Sequence, residues 1–210
     1  MNVYVIRHGD VEYPVDKQGN KLMYYPNTPL SATGRDEMKA LACRFQREGI
    51  VFDIIYSSPQ KRTEEATYIL AEALKTSRVI IDHELRDPDI PGWFGVPLYI
   101  TEDGDLYAEP PRSENQETYE HMIKRLEKAF FRICAQEEGR TLAIVSHGHP
   151  IRVLIRRLTH PSERIQDVPR ITELREFDYL KRGEAWKLQL NEYKRLENIE
   201  LLTPCDYDVR

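Results

Sequence analysis

Three short apolar runs each end in a polar stretch that opens a helical pattern, and this repeated grammar narrows the folds open to the chain. Val3–Ile6 runs into Arg7-His8-Gly9, Phe52–Tyr56 into Ser57-Ser58-Pro59-Gln60-Lys61-Arg62, and Leu142–Val145 into Ser146-His147-Gly148-His149. The runs Val3–Ile6 and Leu142–Val145 are unbroken and Phe52–Tyr56 is interrupted only by Asp53; short apolar runs of this kind read as buried strands. Residues 31–48 place Met38, Leu41, Ala42 and Phe45 on one helical face, with Ser31 as N-cap and Gly49 as the stop. Ser58-Pro59 sets an N-cap before a proline at the first helical position, and Ala66, Ile69, Leu70, Ala73 and Leu74 line the helix that follows. Val79–Ile81 reads as another strand. Ser113 and Gln116 suggest a capping box for a long helix with the stripe Tyr119, Met122, Ile123, Leu126, Phe130 and Ile133. The charged face of that helix, residues 114–137, reads as solvated surface. Ile151, Leu154, Ile155 and Leu158 mark a helix after the third polar stretch. Trp186, Leu188 and Leu190 alternate with polar residues, as a half-exposed strand does. Its partner is expected around residues 171–179, with a turn at Arg182-Gly183, and an exposed edge near residues 186–190 could pair two subunits into a homodimer. The expected class is α/β: one domain over residues 1–210, with a mostly parallel central sheet and helices on both faces.

Residues 88–112 break the alternation. They hold five prolines and three glycines together with Trp93, Phe94, Tyr99 and Tyr107. So long a run without regular structure is unusual in a compact domain unless it serves as a lid, so it reads as a small cap insertion over the active site. Its aromatics read as packing rather than as a substrate platform.

Composition removes several classes. With 30 Lys+Arg against 35 Asp+Glu the chain is mildly acidic, which argues against nucleic-acid or membrane-surface binding. No apolar run reaches the length of a membrane helix. The N-terminus enters Met1–Arg7 without the basic and long apolar regions of a secretory leader. Three cysteines in no CxxC spacing fit a reducing, cytoplasmic compartment.

In an open α/β sheet, ligands bind outside the carboxyl ends of the strands. Strand direction alone could therefore bring Arg7, His8, Arg62 and His147 to one mouth. Two guanidiniums grip phosphate oxygens in a bidentate manner and stay charged, while an imidazole nitrogen is a competent nucleophile near neutral pH. Gly9 and Gly148 would let the backbone approach a ligand. His147-Gly148-His149 has no third ligand nearby, so no metal is expected; the arginines can supply the positive charge. His149 reads as a supporting or structural residue, and no cofactor is implied.

Val5-Ile6-Arg7-His8-Gly9 resembles the signature of the histidine phosphatase superfamily, which includes cofactor-dependent phosphoglycerate mutases. Pro29-Leu30-Ser31 with Gly34, Tyr56–Thr63 and Val145-Ser146-His147-Gly148 resemble its further motifs, in the family's order. The resemblance implies that His8 is the nucleophile that becomes phosphohistidine. It implies that Arg7, Arg62 and His147 hold the phosphoryl oxygens, with Gly148 at the substrate. The family's proton-donor stretch is matched by Leu85-Arg86-Asp87 followed by Gly92-Trp93-Phe94-Gly95, which puts Asp87 at the usual Glu position; Glu84 is the rival.

Two departures bear on the substrate. The family often has Glu or Gln after its RHG and an Asn further on, where this chain has Asp10 and Pro14. The cap run carries Asp89, Glu102, Asp103, Asp105 and Glu109 against Arg112 alone. Both favour a hydrolase of small-molecule phosphomonoesters over a mutase acting on a phosphorylated sugar acid. A phosphoglycerate mutase-type transferase and a non-catalytic phospho-ligand or protein-binding module remain the alternatives.

Overall fold

The N-terminal apolar run becomes β1 (Asn2–Arg7), and its alternation decides how the layers stack. Val3 and Val5 face one side of the sheet, Tyr4 and Ile6 the other, and all four are buried. In the computed structural model, which describes residues 1–102, 106–107, 111–169 and 180–205, β1 sits inside a six-stranded sheet. The other strands are β2 (Ile54–Ser57), β3 (Val79–Ile81), β4 (Leu142–Ser146), β5 (Ala185–Leu190) and β6 (Leu196–Leu202). Their order is β3-β2-β4-β1-β5-β6. The first four run parallel, β5 is antiparallel to β1, and β6 is antiparallel to β5.

Helices cover both faces. On one side α1 (Ala32–Arg47) and α2 (Lys61–Leu74) pack Met38, Leu41, Phe45, Ala66 and Leu70 against Tyr4, Ile6, Ile55 and Val145. On the other, α4 (Tyr119–Gln136) and α5 (Gly148–Thr159) pack Phe130, Ile133, Ile151 and Leu154 against Val3, Val5, Ile54 and Ile144. A short α3 (Leu98–Glu102) lies between α2 and α4 in the chain. Ser31 caps α1 as expected, accepting from the Gly34 N–H, and Gly49 follows the helix at φ +66°. Register positions the site: Arg7 lies opposite Ser146, and Ser57 opposite Val145, so three strands end along one rim.

Several expectations are corrected. Helix α2 starts at Lys61 with Gln60 as its N-cap, not at Ser58, whose hydroxyl is engaged with His147 instead. Helix α4 is capped by Thr118 rather than by a Ser113–Gln116 box. Ser113 closes a separate turn with the Gln116 N–H, and the Gln116 amide donates to the Leu106 carbonyl. The charged residues of α4 are not all solvated, because Arg125 is buried. Residues 88–112 are not without structure: a 3₁₀ turn at Pro91–Trp93 and α3 fall within them. Ile90, Trp93, Leu106 and Tyr107 form a small core of their own with Tyr119, Met122 and Ile123 of α4. Strand β5 is interior, paired with β1 and β6, so the antiparallel edge is β6. The partner strand expected at 171–179 lies outside the described residues.

Candidate active site

Strand β1 delivers Arg7 and His8 to the rim. His8 is fully buried, and its backbone N–H reaches the Ser146 carbonyl at 3.2 Å, which prolongs the ladder past the strand end. The His8 Nδ1 lies 2.7 Å from the Gly9 carbonyl, an acceptor only. That contact places the proton on Nδ1 and leaves the Nε2 lone pair available. Burial, then the positive charges of Arg62 and Arg7, push the imidazole pKa well below its ordinary 6.5, so the ring is neutral at pH 7. Arg7 is buried and donates from Nη1 to the Leu180 carbonyl at 2.8 Å.

Arg62, in the first turn of α2, is 2% exposed. Its Nη2 donates to Asp87 Oδ2 at 2.9 Å and also to Gln60 Oε1, while Nη1 reaches the Tyr25 carbonyl at 3.3 Å. The guanidinium lies 4.7 Å from the centre of the Tyr24 ring. His147, at the end of β4, hydrogen-bonds through Nε2 to Ser58 Oγ at 2.7 Å. Its ring meets that of His8 edge-on, with centroids 5.2 Å apart. Its Nδ1 is 3.7 Å from Asp87 Oδ2. Burial, followed by Arg62, His8 and Arg7, lowers its pKa well below 6.5, so at neutral pH the Asp87 contact is not an ion pair.

All five side chains singled out from sequence, Arg7, His8, Arg62, Asp87 and His147, thus meet at one rim. Asp87 is one-fifth exposed while its partner Arg62 is buried. Glu84, the rival, is solvent-exposed beside the turn closed by Asp82. Gly148 has a different reason for being glycine than ligand approach alone: a Cβ there would lie 2.9 Å from Arg7 Cζ. Gly9 is required by the protein itself, since a Cβ would lie 2.2 Å from the Gly34 carbonyl oxygen on α1. His149 is also neutralised by burial, and its ring lies 6.4 Å from that of Tyr107. Among the described residues no three His, Cys, Asp or Glu side chains form a metal-ligand cluster. No described helix is long and apolar enough to cross a membrane.

Sequence reading missed a second ring of residues. Ser58, read as a cap, is the partner of His147. Gln60 and Tyr24 hold Arg62 from two sides. Arg182, read as part of a turn, pairs with Asp10 and the Tyr13 hydroxyl and lies close enough to add to the positive field on His8. Asp10 in turn accepts from Ser31 Oγ at 2.9 Å. Ser58, Gln60 and Asp10 stand within or beside the motifs quoted from the sequence, whereas nothing local marks Tyr13, Tyr24 or Arg182. Pro14, where an amide side chain was expected, instead offers its carbonyl to the Leu22 N–H at 2.8 Å.

Comparison with known proteins agrees with this geometry. The chain is 24% identical over 201 residues to phosphoglycerate mutase-like protein 4 of Arabidopsis thaliana, covering 90% of this chain and 83% of that protein. It is 27% identical over 163 residues to phosphoserine phosphatase 1 of Hydrogenobacter thermophilus, covering 73% and 74%. Among solved structures, Bacillus stearothermophilus YhfR superposes with a TM-score of 0.73 at 20% identity, over 100% of this chain and 98% of that one. A phosphoserine phosphatase mutant from Entamoeba histolytica, in complex with phosphoserine, superposes with a TM-score of 0.70 at 19% identity, over 94% and 95%. These two likenesses establish a shared fold. The profile of the histidine phosphatase superfamily (branch 1) matches residues 3–190, and with the two histidines and two arginines gathered at the strand ends, the chain belongs to that family.

Proposed function

We propose that the protein is a metal-independent hydrolase of small-molecule phosphomonoesters. His8 Nε2 attacks phosphorus as the ester P–O bond breaks in line, and Asp87 gives its proton to the departing alkoxide. Water, deprotonated by Asp87, then attacks the phosphohistidine. Phosphate leaves, and His8 recovers its lone pair. Arg7 and Arg62 grip the phosphoryl oxygens, and His147 adds a polar contact to the same group. The observation that carries the reading is the pairing of a buried, neutral imidazole having a free Nε2 with a carboxylate on Arg62. A binding module would need the arginines but not the carboxylate. The phosphoryl group on Arg62 competes with Asp87 for the same guanidinium; the released Asp87 Oδ2 takes the proton of the incoming phosphomonoester monoanion and carries it to the leaving oxygen. Residues 88–112 are assigned as a cap on their place in the chain, and their acidic sequence disfavours carboxylated substrates; the cysteine usage fits a reducing cytoplasm.

Phosphate release from a phosphomonoester panel with EDTA present tests this. The parent is expected to release phosphate and His8→Ala to release none, with ³²P trapped on the parent in acid-labile form. Turnover of 3-phosphoglycerate to its isomer at a rate matching hydrolysis of a neutral-bodied ester would assign the transferase activity instead. Phosphate binding without turnover across the panel would assign the binding module.

A further inference from the structure

Helix α4 is an apolar stripe interrupted by one buried charge. Arg125 is 2% exposed and its partner Glu117 is 3% exposed. The two form a bidentate pair, Nε to Oε1 and Nη2 to Oε2, both at 2.7 Å. The remaining donor, Nη1, reaches the carbonyls of Glu84 at 2.5 Å and Arg86 at 3.1 Å. Glu117 completes the arrangement from the other side: its backbone N–H donates to the Asp89 carbonyl at 2.7 Å, and its Oε2 lies 3.4 Å from the Asp89 N–H. The backbone is therefore pinned on both sides of Asp87, while Ser146 Oγ, at the end of β4, holds the Leu85 carbonyl at 2.8 Å.

A buried ion pair is a poor way to stabilise a helix stripe. Desolvation of both charges offsets most of the attraction, and an apolar pair of similar volume commonly does as well. What an apolar pair cannot do is hold the carbonyls of Glu84 and Arg86 and the Asp89 amide, on either side of Asp87, where the chain leaves the 3₁₀ turn His83–Leu85. Burial pushes the Glu117 carboxyl up, but the Arg125 hydrogen bonds and charge, with Arg86, hold it below the usual range, so the pair stays ionised. The fork geometry of arginine matters here, because lysine has no planar array of donors to serve a carboxylate and two carbonyls together.

We propose that Arg125 and Glu117 are positioning residues that hold Asp87 at the reacting group, and this rests on Asp87 being the proton donor. Neither touches the substrate. Their loss degrades proton delivery to the leaving oxygen while sparing the attack of His8. The effect must then depend on the leaving group. An acidic phenol departs without a proton, whereas an alkyl alcohol does not.

The test compares rates of first-turnover leaving-group release from p-nitrophenyl phosphate and glycerol 2-phosphate in the parent, Asp87→Asn, Arg125→Lys and Glu117→Gln. The ratio of the two rates is internal to each preparation, so a reduced folded fraction cancels. Asp87→Asn is expected to depress the alkyl rate by about 10²-fold or more relative to the aryl rate, the usual weight of general acid catalysis. Arg125→Lys and Glu117→Gln should shift the ratio the same way, by about tenfold, and Arg125→Lys added to Asp87→Asn should shift it no further. If Asp87→Asn changes the ratio and the other two variants leave it at the parental value, the positioning role is refuted and the proton-donor reading stands. If Asp87→Asn slows both esters equally, the proton donor is another group and the proposal falls with it. Should Arg125→Lys fail to fold, Glu117→Gln alone decides, since it retains the shape and most of the hydrogen bonds.

Discussion

Gly148→Ala separates the chemistry of the site from the stability of the fold. The Cβ built at this position lies 2.9 Å from Arg7 Cζ, 3.0 Å from Nη2 and 3.1 Å from Nε. Carbon atoms in contact prefer about 3.5–4.0 Å, so the guanidinium must retreat by about 0.6 Å or more. It can do so without moving backbone, because it is the far end of a long side chain. The cost to folding is then near the low end for overpacking, about 1 kcal/mol, partly offset by the helix preference of Ala over Gly. For a chain of this size that is a change in Tm of about 2–4 °C. The cost to catalysis is larger. Arg7 donates to the Leu180 carbonyl at 2.8 Å, a contact that the displaced guanidinium would strain. A misplacement of about 1 Å in a positioned group costs about 10²-fold in rate, so a retreat of about 0.6 Å should lower kcat/KM by about 10–10²-fold. That is roughly 1.4–2.7 kcal/mol of transition-state stabilisation. The assay is kcat/KM on p-nitrophenyl phosphate, with inorganic phosphate as competitive inhibitor and thermal unfolding in parallel. A variant with kcat/KM within threefold of the parent and an unchanged phosphate Ki would show that Arg7 is not a phosphoryl ligand, or that it moves freely. Gly9→Ala is the contrasting control. Its Cβ would strike the Gly34 carbonyl oxygen at 2.2 Å, a backbone atom of α1 that cannot step aside, so the loss appears as poor folding rather than as a folded enzyme of low activity.

Four further outcomes follow from the geometry. Glu84→Gln should retain parental turnover of alkyl phosphates and Asp87→Asn should lose it; the reverse pattern in steady-state kinetics would move the proton donor to Glu84. The acid limb of kcat/KM governed by His8 should fall well below pH 6.5, because burial and then Arg62 and Arg7 keep the ring unprotonated; a limb at 6.5 or above would contradict this. Stability should follow the same sign: as pH drops below about 6.5 the unfolded chain takes up protons on His8 and His147 that the folded chain refuses, so Tm falls, and it gains nothing from these groups above that pH. Ser58→Ala should leave His147 Nε2 buried without its partner, costing about 1–3 kcal/mol in chemical denaturation and lowering kcat; an unchanged midpoint and kcat would show that the 2.7 Å contact contributes nothing.

The convergence of Arg7, His8, Arg62 and His147 at the candidate site was legible because strand direction is a local property with a long-range consequence. Each of the three polar stretches follows an apolar run, and parallel alignment of those runs brings their ends together whatever lies between. The Arg7–Ser146 and Ser57–Val145 registers are that consequence realised. What sequence could not supply were the contacts made across the chain by side chains with several roles open to them. Ser58 can cap a helix or hold a histidine, and nothing local decides between the two. Arg125 sits at a position in α4 where a lysine or arginine ordinarily reaches water; only the loop that crosses above it makes it a buried residue. Strand β5 was misjudged as an edge for the same kind of reason. Its alternating pattern describes one exposed face, and that pattern is shared by an interior strand whose other neighbour, β6, comes later in the chain.

The partners of Arg62 suggest an order of events at the site. Its Nη2 serves two acceptors, the charged Asp87 and the neutral Gln60. A phosphoryl group arriving between Arg7 and Arg62 brings negative charge into a buried region where like charges repel strongly. Asp87 is the group that can yield, since it is the most exposed of the five and its backbone is held independently by Arg125 and Glu117. Gln60, being neutral, has no reason to leave, and with the Tyr25 carbonyl and the Tyr24 ring it keeps the guanidinium aimed while Asp87 turns to the leaving oxygen. In the proposed cycle Asp87 passes the proton it took from water to the departing phosphate or solvent and returns to Arg62 as the carboxylate. The carboxylate thus alternates between neutralising the arginine and serving the ester, and the alternation works only because two sets of contacts fix the arginine and the loop separately.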